Sequence, residues 1–211
     1  MKDVLARIEE AKKGSSPRKF KQTWELIINT KGLDLKKPEN RFKFDFMLPE
    51  GRGKALKVCV VADSLAGEAK KHADMVITKS EIEPLGRDRK RLKKLAREYD
   101  WFLGEATLMA QIGKSFGAIL GSRGKLPRPV PPGASIVPFI GRARKSSLVA
   151  LKETPVIQVA IGSEELDAEK VARNAEAVYR AVVEKLPKGR TSIRSVFIKL
   201  TMGRPVRVEV A

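Results

Sequence analysis

A basic segment that contains one aromatic ring precedes a strand-like stretch near the N-terminus. Its charged and aromatic residues are Arg18, Lys19, Phe20 and Lys21. Cations can neutralise phosphates, and a ring can stack on a base or pack on a ribose, so this pattern suits RNA binding. Thr23 and Glu25 follow on the strand and could reach sugar hydroxyls or base edges. The segment could equally be a core phenylalanine beside solvated charges, and by itself it does not decide between the two.

A second candidate contact follows a buried strand near the C-terminus. The sequence SIRSVFIKL is strongly apolar, and it ends in Thr201, Met202 and Gly203. Glycine lets another backbone approach closely, methionine offers an adaptable apolar surface, and threonine carries a hydroxyl. Taken alone, this triplet fits an ordinary hairpin turn equally well.

The third candidate contact is a basic segment in the stretch LGSRGKLPRP. Arg123, Lys125 and Arg128 stand among glycines and prolines that restrict the backbone, so a stiff basic loop could supply secondary phosphate contacts. The alternative is a solvated loop.

Residues for catalysis or nucleotide binding are few. Cys59 lies in the apolar run LKVCVV, where a buried structural thiol is expected, and His72 follows two lysines on a predicted helix. One Cys and one His cannot build a Cys/His zinc site. The phosphate-loop ending Gly113-Lys114-Ser115 lacks its first glycine, because that position is Leu108. The dinucleotide fingerprint is also missing after the first buried strand.

Composition points to a polyanionic partner. The chain has 211 residues, 42% of them hydrophobic, and a formal net charge of +18. Such an excess of cations suits nucleic acid, whose bound counterions are released on complex formation. No apolar run reaches the roughly 20 residues of a bilayer span, so no membrane is expected. The single cysteine and the charged N-terminus favour the cytoplasm.

Apolar periodicity predicts two styles of structure. A helix over 1–13, a strand over 20–30 and an alternating strand over 41–48 open the chain, and the two strands are expected to pair antiparallel. From Ala55 onward, buried strands alternate with helices, which predicts a parallel sheet. Pro84 and Gly86 predict a loop, and residues 120–145 an ordered basic loop without regular helix. Two strands around Thr154–Pro155, a helix over 166–186 and two strands within 192–210 follow.

The predicted fold class is therefore α/β, in two domains. Residues 1–54 and 154–211 form an α+β domain with an antiparallel sheet, and residues 55–153 form an inserted, Rossmann-like α/β domain. Linkers are expected near Gly51–Ala55 and Ala150–Thr154.

These three segments together resemble one family, the universal stalk protein of the large ribosomal subunit, in its archaeal form. RKFKQTWELII is similar to the family's Lys-Phe strand, LGSRGKLPRP to its Gly-Arg-Gly-x-x-Pro signature, and SIRSVFIKLTMGRPV to its C-terminal strand with Thr-Met-Gly. One departure is Arg204, which stands where bacterial members have proline directly after the glycine. The resemblance extends from Arg18 to Val206.

The resemblance implies a structural protein that binds large-subunit rRNA mainly through its first domain and forms the mobile stalk at the tRNA exit site. It implies help in releasing deacylated tRNA, repression of the protein's own mRNA, a monomer within the large subunit of the cytoplasmic ribosome, and no catalysis or cofactor. The expected RNA-binding residues are Arg18, Lys19, Phe20, Thr23, Glu25, Ser195, Lys199, Thr201, Met202 and Gly203, with secondary contacts from Arg123, Lys125 and Arg128.

Two alternatives remain open at this point. The chain could be a nucleotide-dependent or nucleic-acid-processing α/β enzyme, although Asp63, Asp74 and Glu83 are too scattered to form an obvious metal site. It could also be a paralogue of the stalk protein that binds RNA away from the ribosome.

Overall fold

The computed structural model describes residues 3–209. The chain forms, in order, α1 (Val4–Lys13), β1 (Thr23–Thr30), β2 (Phe42–Met47), β3 (Val58–Val61), α2 (Ala66–His72), β4 (Met75–Ile77), α3 (Lys79–Arg87), α4 (Arg89–Glu98), β5 (Trp101–Glu105), α5 (Met109–Ser122), β6 (Arg128–Val130), α6 (Val137–Lys145), β7 (Ser146–Leu151), β8 (Val156–Ser163), α7 (Ala168–Lys185), β9 (Ile193–Leu200) and β10 (Val206–Val208). Short 3-10 turns span Pro38–Asn40, Ala106–Leu108 and Gly189–Ser192. Residues 1, 2 and 210 of the predicted first helix and last strand lie outside the described range.

Two compact units make up the chain. The first unit comprises the chain up to Lys54 and again from Lys145 onward, and the second comprises Ala55–Arg144. The chain returns from the second unit to the first before β7, whereas the predicted boundary was residue 154. The reason is that β7 pairs along its length with β2, from Ser146 opposite Met47 to Leu151 opposite Phe42, which makes β7 part of the first unit.

An antiparallel sheet forms the centre of the first unit, with the strand order β10-β9-β1-β8. Along β1, buried and half-buried residues alternate strictly, so Trp24, Leu26 and Ile28 face the core. Helices α1 and α7 cover that inner face. Helix α7 contributes apolar side chains at helical spacing, including Val171, Ala175, Val178 and Val182. Within residues 3–209, the outward-facing positions of β1 and β9 are half-buried or exposed rather than buried, so a partner can reach them.

The predicted pairing of the first two strands is wrong. Strand β1 is bonded on both edges, to β8 and to β9, so neither edge is left for β2. Strand β2 pairs antiparallel with β7 instead. A short connection favours pairing of neighbouring strands, but here the long β8 and β9 complete both edges of β1.

The second unit is a parallel sheet with the order β4-β3-β5-β6 and helices around it, as the alternation of strands and helices predicted. Strand β3 is buried along its whole length, as expected for a strand covered on both faces. The α/β fold class is confirmed.

Two predicted loops contain helices. Helix α3 continues through Pro84, because a capping box of Thr78 and Glu81 starts it and buried Ile82 and Leu85 anchor it. Helix α6 lies inside the predicted basic loop. Its proline, Pro138, occupies the first turn, where a missing N–H breaks no helical hydrogen bond. Within residues 3–209, no helix has the length and apolar character needed to cross a membrane.

Candidate nucleic-acid interface

Strands β1 and β9 place three predicted site residues on one face. The register sets Glu25 opposite Lys199 and Asn29 opposite Ser195. These positions are half-buried, as are Ile27 and Phe197 between them on the same face, whereas the alternate residues point into the core. The Nδ2 of Asn29 donates to the Oγ of Ser195 at 2.9 Å. Glu25 and Lys199, which are 174 positions apart in the chain, are therefore neighbours on an accessible sheet face. This places a carboxylate and an ammonium side by side.

The Thr201 hydroxyl extends the β1–β9 ladder beyond the last strand pair. It accepts from the backbone N–H of Thr23 at 3.0 Å and donates to the carbonyl of Thr23 at 3.2 Å. The backbone N–H of Thr201 donates to the same carbonyl at 3.0 Å. A hydroxyl has one hydrogen and two lone pairs, so at most one lone pair is left for a ligand. Thr201 therefore acts mainly by fixing the turn on β1.

Gly203 is not required by the local backbone, because its φ is not positive. A Cβ at this position would meet its nearest atom, the Cβ of Leu200, at 3.4 Å, which is a contact rather than a clash. Because glycine has only a hydrogen as its side chain, another chain can approach this turn closely.

Gln22 holds this turn in place, although it is not among the predicted site residues. Its side chain is 1% exposed. The Oε1 accepts from the backbone N–H of Met202 at 3.1 Å, and the Nε2 donates to the Oγ of Ser15 at 3.2 Å. The backbone N–H of Gln22 donates to a carboxylate oxygen of Glu164 at 3.1 Å. One buried amide thus joins the basic N-terminal segment to the turn that carries Met202.

Two large apolar side chains near Gln22, one by sequence and one by hydrogen bond, are exposed. Phe20 is 53% exposed and Met202 is 56% exposed. Arg18 and Lys19, next to Phe20, are exposed and form no ion pair with any residue in the described range. Lys21 differs, because its Nζ lies 2.5 Å from a carboxylate oxygen of Glu165. Apolar side chains held in solvent beside unpaired cations are typical of a surface awaiting a partner.

We name this region the β1–β9 surface and define it by the ten predicted residues Arg18, Lys19, Phe20, Thr23, Glu25, Ser195, Lys199, Thr201, Met202 and Gly203. All ten belong to the first unit.

The three predicted secondary residues lie in the second unit and engage its own atoms. The Nη1 of Arg123 donates to the carbonyl of Lys93 at 2.9 Å. The Nζ of Lys125 donates to the carbonyls of Ala96 at 3.1 Å and Tyr99 at 2.7 Å, at the end of α4. Burial lowers the pKa of Lys125. Its ammonium therefore caps a helix rather than facing solvent.

Arg128, the third of these residues, lies over an aromatic ring. Its guanidinium carbon is 5.8 Å from the centre of the Trp101 ring, a cation–π geometry. The sequence could not show that these three side chains serve contacts inside their own unit.

A carboxylate occupies the place where a nucleotide phosphate would bind in an open parallel sheet. That place is the end of β3 and β5, where the strand order reverses. Here the Oε2 of Glu105 accepts from the backbone N–H groups of Asp63 at 2.9 Å and Ser64 at 3.2 Å. The backbone donors of this loop, which a phosphate would need, are already used. The hydroxyl of Ser64 donates to the Oε1 of Glu105 as well, at 2.9 Å.

No other arrangement in the described residues suggests chemistry. Cys59 is fully buried, and its burial raises the pKa of the thiol to about 12, so the thiolate is absent near neutral pH. His72 is exposed. Among residues 3–209, no three or more His, Cys, Asp or Glu side chains are grouped to hold a metal ion.

The strongly basic chain and the exposed residues of the β1–β9 surface point to the class of nucleic-acid-binding proteins. Residues 9–204 match the ribosomal protein L1p/L10e family. The large ribosomal subunit protein uL1 of Methanothermobacter thermautotrophicus is 44% identical over 208 residues, which is 98% of each chain. That of Thermococcus kodakarensis is 44% identical over 98% of this chain and 96% of its own length. That of Methanocaldococcus jannaschii is 41% identical over 98% of this chain and 94% of its own.

The chain therefore belongs to the ribosomal protein L1p/L10e family. It is a structural protein of the ribosome rather than an enzyme, and its place is the ribosome of the cytoplasm. The predicted family, the archaeal character and the non-enzymatic role are confirmed by these matches.

Proposed function

We propose that the chain, as a protein of the large ribosomal subunit, binds large-subunit rRNA through the β1–β9 surface and so forms the mobile stalk at the tRNA exit site. As a single copy in that subunit, it assists the release of deacylated tRNA. It also represses translation of its own mRNA by binding that RNA through the same surface.

The observation that carries this proposal is the pairing of Phe20 and Met202 with a buried anchor. Both side chains are more than half exposed; Met202 donates its backbone N–H to Gln22, which is 1% exposed, and Phe20 precedes Gln22 by two positions in the chain. An aromatic ring and a thioether that are held in solvent can pack on bases or riboses, while Arg18 and Lys19 neutralise phosphates. Because the anchor is fixed before binding, little conformational entropy is lost on complex formation.

The two units have unequal roles in this proposal. The first unit makes the main, specific contact, because it carries all ten residues of the β1–β9 surface. The inserted unit adds weaker contacts through its basic helices. The side chains of Glu25, Ser195 and Thr23 supply hydrogen-bonding groups that charge alone would not provide, and these are the source of specificity.

The regulatory part of the proposal predicts competition between two RNAs for one surface. Added protein should reduce translation of its own mRNA in a cell-free system and leave an unrelated mRNA unaffected. A fragment of large-subunit rRNA that contains the stalk helix should restore translation, since it occupies the same residues. The measurement is the yield of labelled product as protein and fragment are titrated.

Two variants distinguish repression through the β1–β9 surface from sequence-independent binding of the protein to RNA. Met202→Asp should abolish repression, whereas Met47→Asp, in the same unit and 51% exposed, should retain it. Repression that persists in the presence of excess rRNA fragment would mean that the mRNA does not use the β1–β9 surface.

A further inference from the structure

The sulfur atoms of this chain differ in their access to solvent. The single cysteine of the sequence, Cys59, is fully buried, so its thiol is shielded from an oxidant in solution. Burial also raises the pKa of that thiol to about 12, which leaves no reactive thiolate near neutral pH. A thioether needs no deprotonation before it is oxidised. The methionines are therefore the sulfur groups through which an oxidant in solution can change this protein.

The methionines are exposed to different degrees. Met47 is 51% exposed and Met202 is 56% exposed. Met75 and Met109 are half-buried and pack against apolar core residues of the second unit. Met1 lies outside the described range. Among residues 3–209, peroxide in solution should therefore oxidise Met47 and Met202 first, and at similar rates.

The position of Met202 distinguishes it from Met47. The backbone N–H of Met202 donates to the buried Oε1 of Gln22 at 3.1 Å, and the next N–H, that of Gly203, donates to the carbonyl of Leu200 at 2.9 Å. These bonds fix the backbone of the turn, while the Met202 side chain projects from it into solvent. Met202 belongs to the β1–β9 surface, whereas Met47 lies on β2 outside it. Oxidation at Met202 therefore changes a group that is offered to RNA, and oxidation at Met47 does not.

The chemical change is the transfer of one oxygen atom. The sulfur lone pair attacks an oxygen of hydrogen peroxide, an S–O bond forms and the O–O bond breaks. The transferred oxygen loses its proton to the departing hydroxide, which leaves as water. The sulfur is oxidised by two electrons and the peroxide is reduced by two. The product, methionine sulfoxide, is uncharged but polar.

The sulfoxide is a poorer partner for RNA than the thioether. An apolar thioether loses little when it packs on a base or a ribose, but the sulfoxide oxygen must give up its bound water. That oxygen accepts hydrogen bonds and donates none. Phosphate oxygens are acceptors as well, so they cannot replace the lost water. The bound state is therefore destabilised relative to the free state.

We propose that Met202 is a redox-sensitive modification site, at which conversion of the thioether to the sulfoxide by peroxide releases the β1–β9 surface from RNA. This proposal rests on the proposed function of that surface and adds its regulation. Bound RNA covers Met202, so peroxide acts on the free chain and spares the chain that is already bound. The oxidised free chain no longer represses its own mRNA and is held back from new ribosomal subunits.

The modification is reversible. A methionine sulfoxide reductase removes the oxygen from the sulfur in a two-electron reduction. Two thiols of the reductase become a disulfide, and the oxygen leaves as water. The thioether of Met202 is thereby restored, and RNA binding should return with it.

The affinity for the rRNA stalk fragment before and after peroxide treatment tests the proposal. In the wild type, oxidation should lower the affinity about tenfold, as expected when a polar group is buried without a hydrogen-bond partner. This loss is smaller than that expected for Met202→Asp, because the sulfoxide carries no charge. Treatment with a methionine sulfoxide reductase should restore the affinity. No loss in a sample whose Met202 is fully oxidised by mass spectrometry would overturn the proposal.

Met202→Leu and Met47→Leu assign the effect to one sulfur. Each variant is compared with itself, treated against untreated, so a change in its initial affinity does not enter the result. The affinity of Met47→Leu should fall about tenfold on treatment, because this variant keeps Met202, and the affinity of Met202→Leu should stay constant. A tenfold fall in Met202→Leu would mean that another oxidised group is responsible, and the proposal would be wrong.

Protection by RNA gives a second, local readout. Peptides that contain Met202 and Met47 are quantified by mass spectrometry after a short peroxide pulse, with and without the bound stalk fragment. The fragment should slow oxidation of Met202 and leave the rate at Met47 unchanged. Equal rates at Met202 in the free and the bound chain would contradict the proposal. If the untreated chain does not bind the fragment, the proposed function itself fails and the switch fails with it, and the untreated binding curve alone reports this.

Discussion

Met202→Asp is expected to lower affinity for the rRNA stalk fragment by about thirtyfold or more, which corresponds to ~2 kcal/mol. The side chain is 56% exposed and apolar, and a carboxylate in its place would face the phosphates of the bound RNA. It would also have to lose water on binding without gaining a cation in return. The measurement is equilibrium binding of the labelled fragment to the folded variant.

The folded state should not change in this variant. Met202 contributes only its backbone N–H to the Gln22 network, and aspartate keeps that group. Met47→Asp is the matched control, since Met47 is 51% exposed on β2 in the same unit and lies outside the β1–β9 surface. Equal affinities for the two variants would remove Met202 from the interface.

Glu105→Ala is expected to give the largest loss of stability, about 2–4 kcal/mol in the free energy of unfolding of the second unit. The carboxylate accepts hydrogen bonds from Asp63 and Ser64 at the end of β3 and from the hydroxyl of Thr107 at 3.1 Å. Alanine leaves these donors without an acceptor at a position that is 5% exposed. Amide hydrogen exchange should accelerate in β3 and β5 far more than in β1 and β9.

The matched control is Glu83→Ala, an exposed glutamate on α3 in the same unit. It should change stability by no more than about 0.5 kcal/mol. If amide exchange accelerated equally in both variants, the hydrogen bonds of Glu105 would stabilise the second unit no more than an exposed glutamate does.

The same carboxylate makes the wild-type stability depend on pH. The backbone N–H of Asp63, together with the Ser64 and Thr107 donors, lowers the pKa of Glu105 from its ordinary 4.5. Glu105 therefore binds a proton more readily in the unfolded chain than in the folded one. Its contribution to the free energy of unfolding is complete above the ordinary pKa, and it is lost as pH falls through the lower pKa of the folded state. The difference in stability between wild type and Glu105→Gln should narrow over that range. The pKa values of Glu68 and Glu81 are also lowered. Both residues are present in both proteins, so their contributions to the pH dependence cancel in the difference.

Period-two and helical patterns were sufficient to predict most elements and the α/β class. Strand β1 shows why, since alternate apolar side chains specify both its structure and its buried face. Partners of strands were harder to predict, because β1 had two possible edges and the sequence does not show which distant strands fill them. Helix α6 was missed because its proline lies in the first turn, where it is harmless.

Buried polar side chains were the main gap in predicting the site. Gln22 lies in phase with Trp24, Leu26 and Ile28, and that polar residue on an apolar face was the one available signal. Its partner Met202 lies 180 positions away in the chain, so the hydrogen bond itself could not be foreseen. Lys125 shows a second gap: its place in a glycine-rich segment predicts a phosphate contact, but the sequence does not show that its ammonium donates to carbonyls at the end of α4.

The central claim is that the β1–β9 surface recognises one RNA structure rather than negative charge in general. The most direct test compares binding of the rRNA stalk fragment with an unrelated hairpin of equal length across a salt series. We predict that the fragment stays bound near physiological salt with a shallow salt slope, while the hairpin is released, because contacts to sugars and bases add to those with phosphates. Equal affinity for both RNAs, lost together as salt rises, would contradict the account, since the charge of +18 alone would then explain binding.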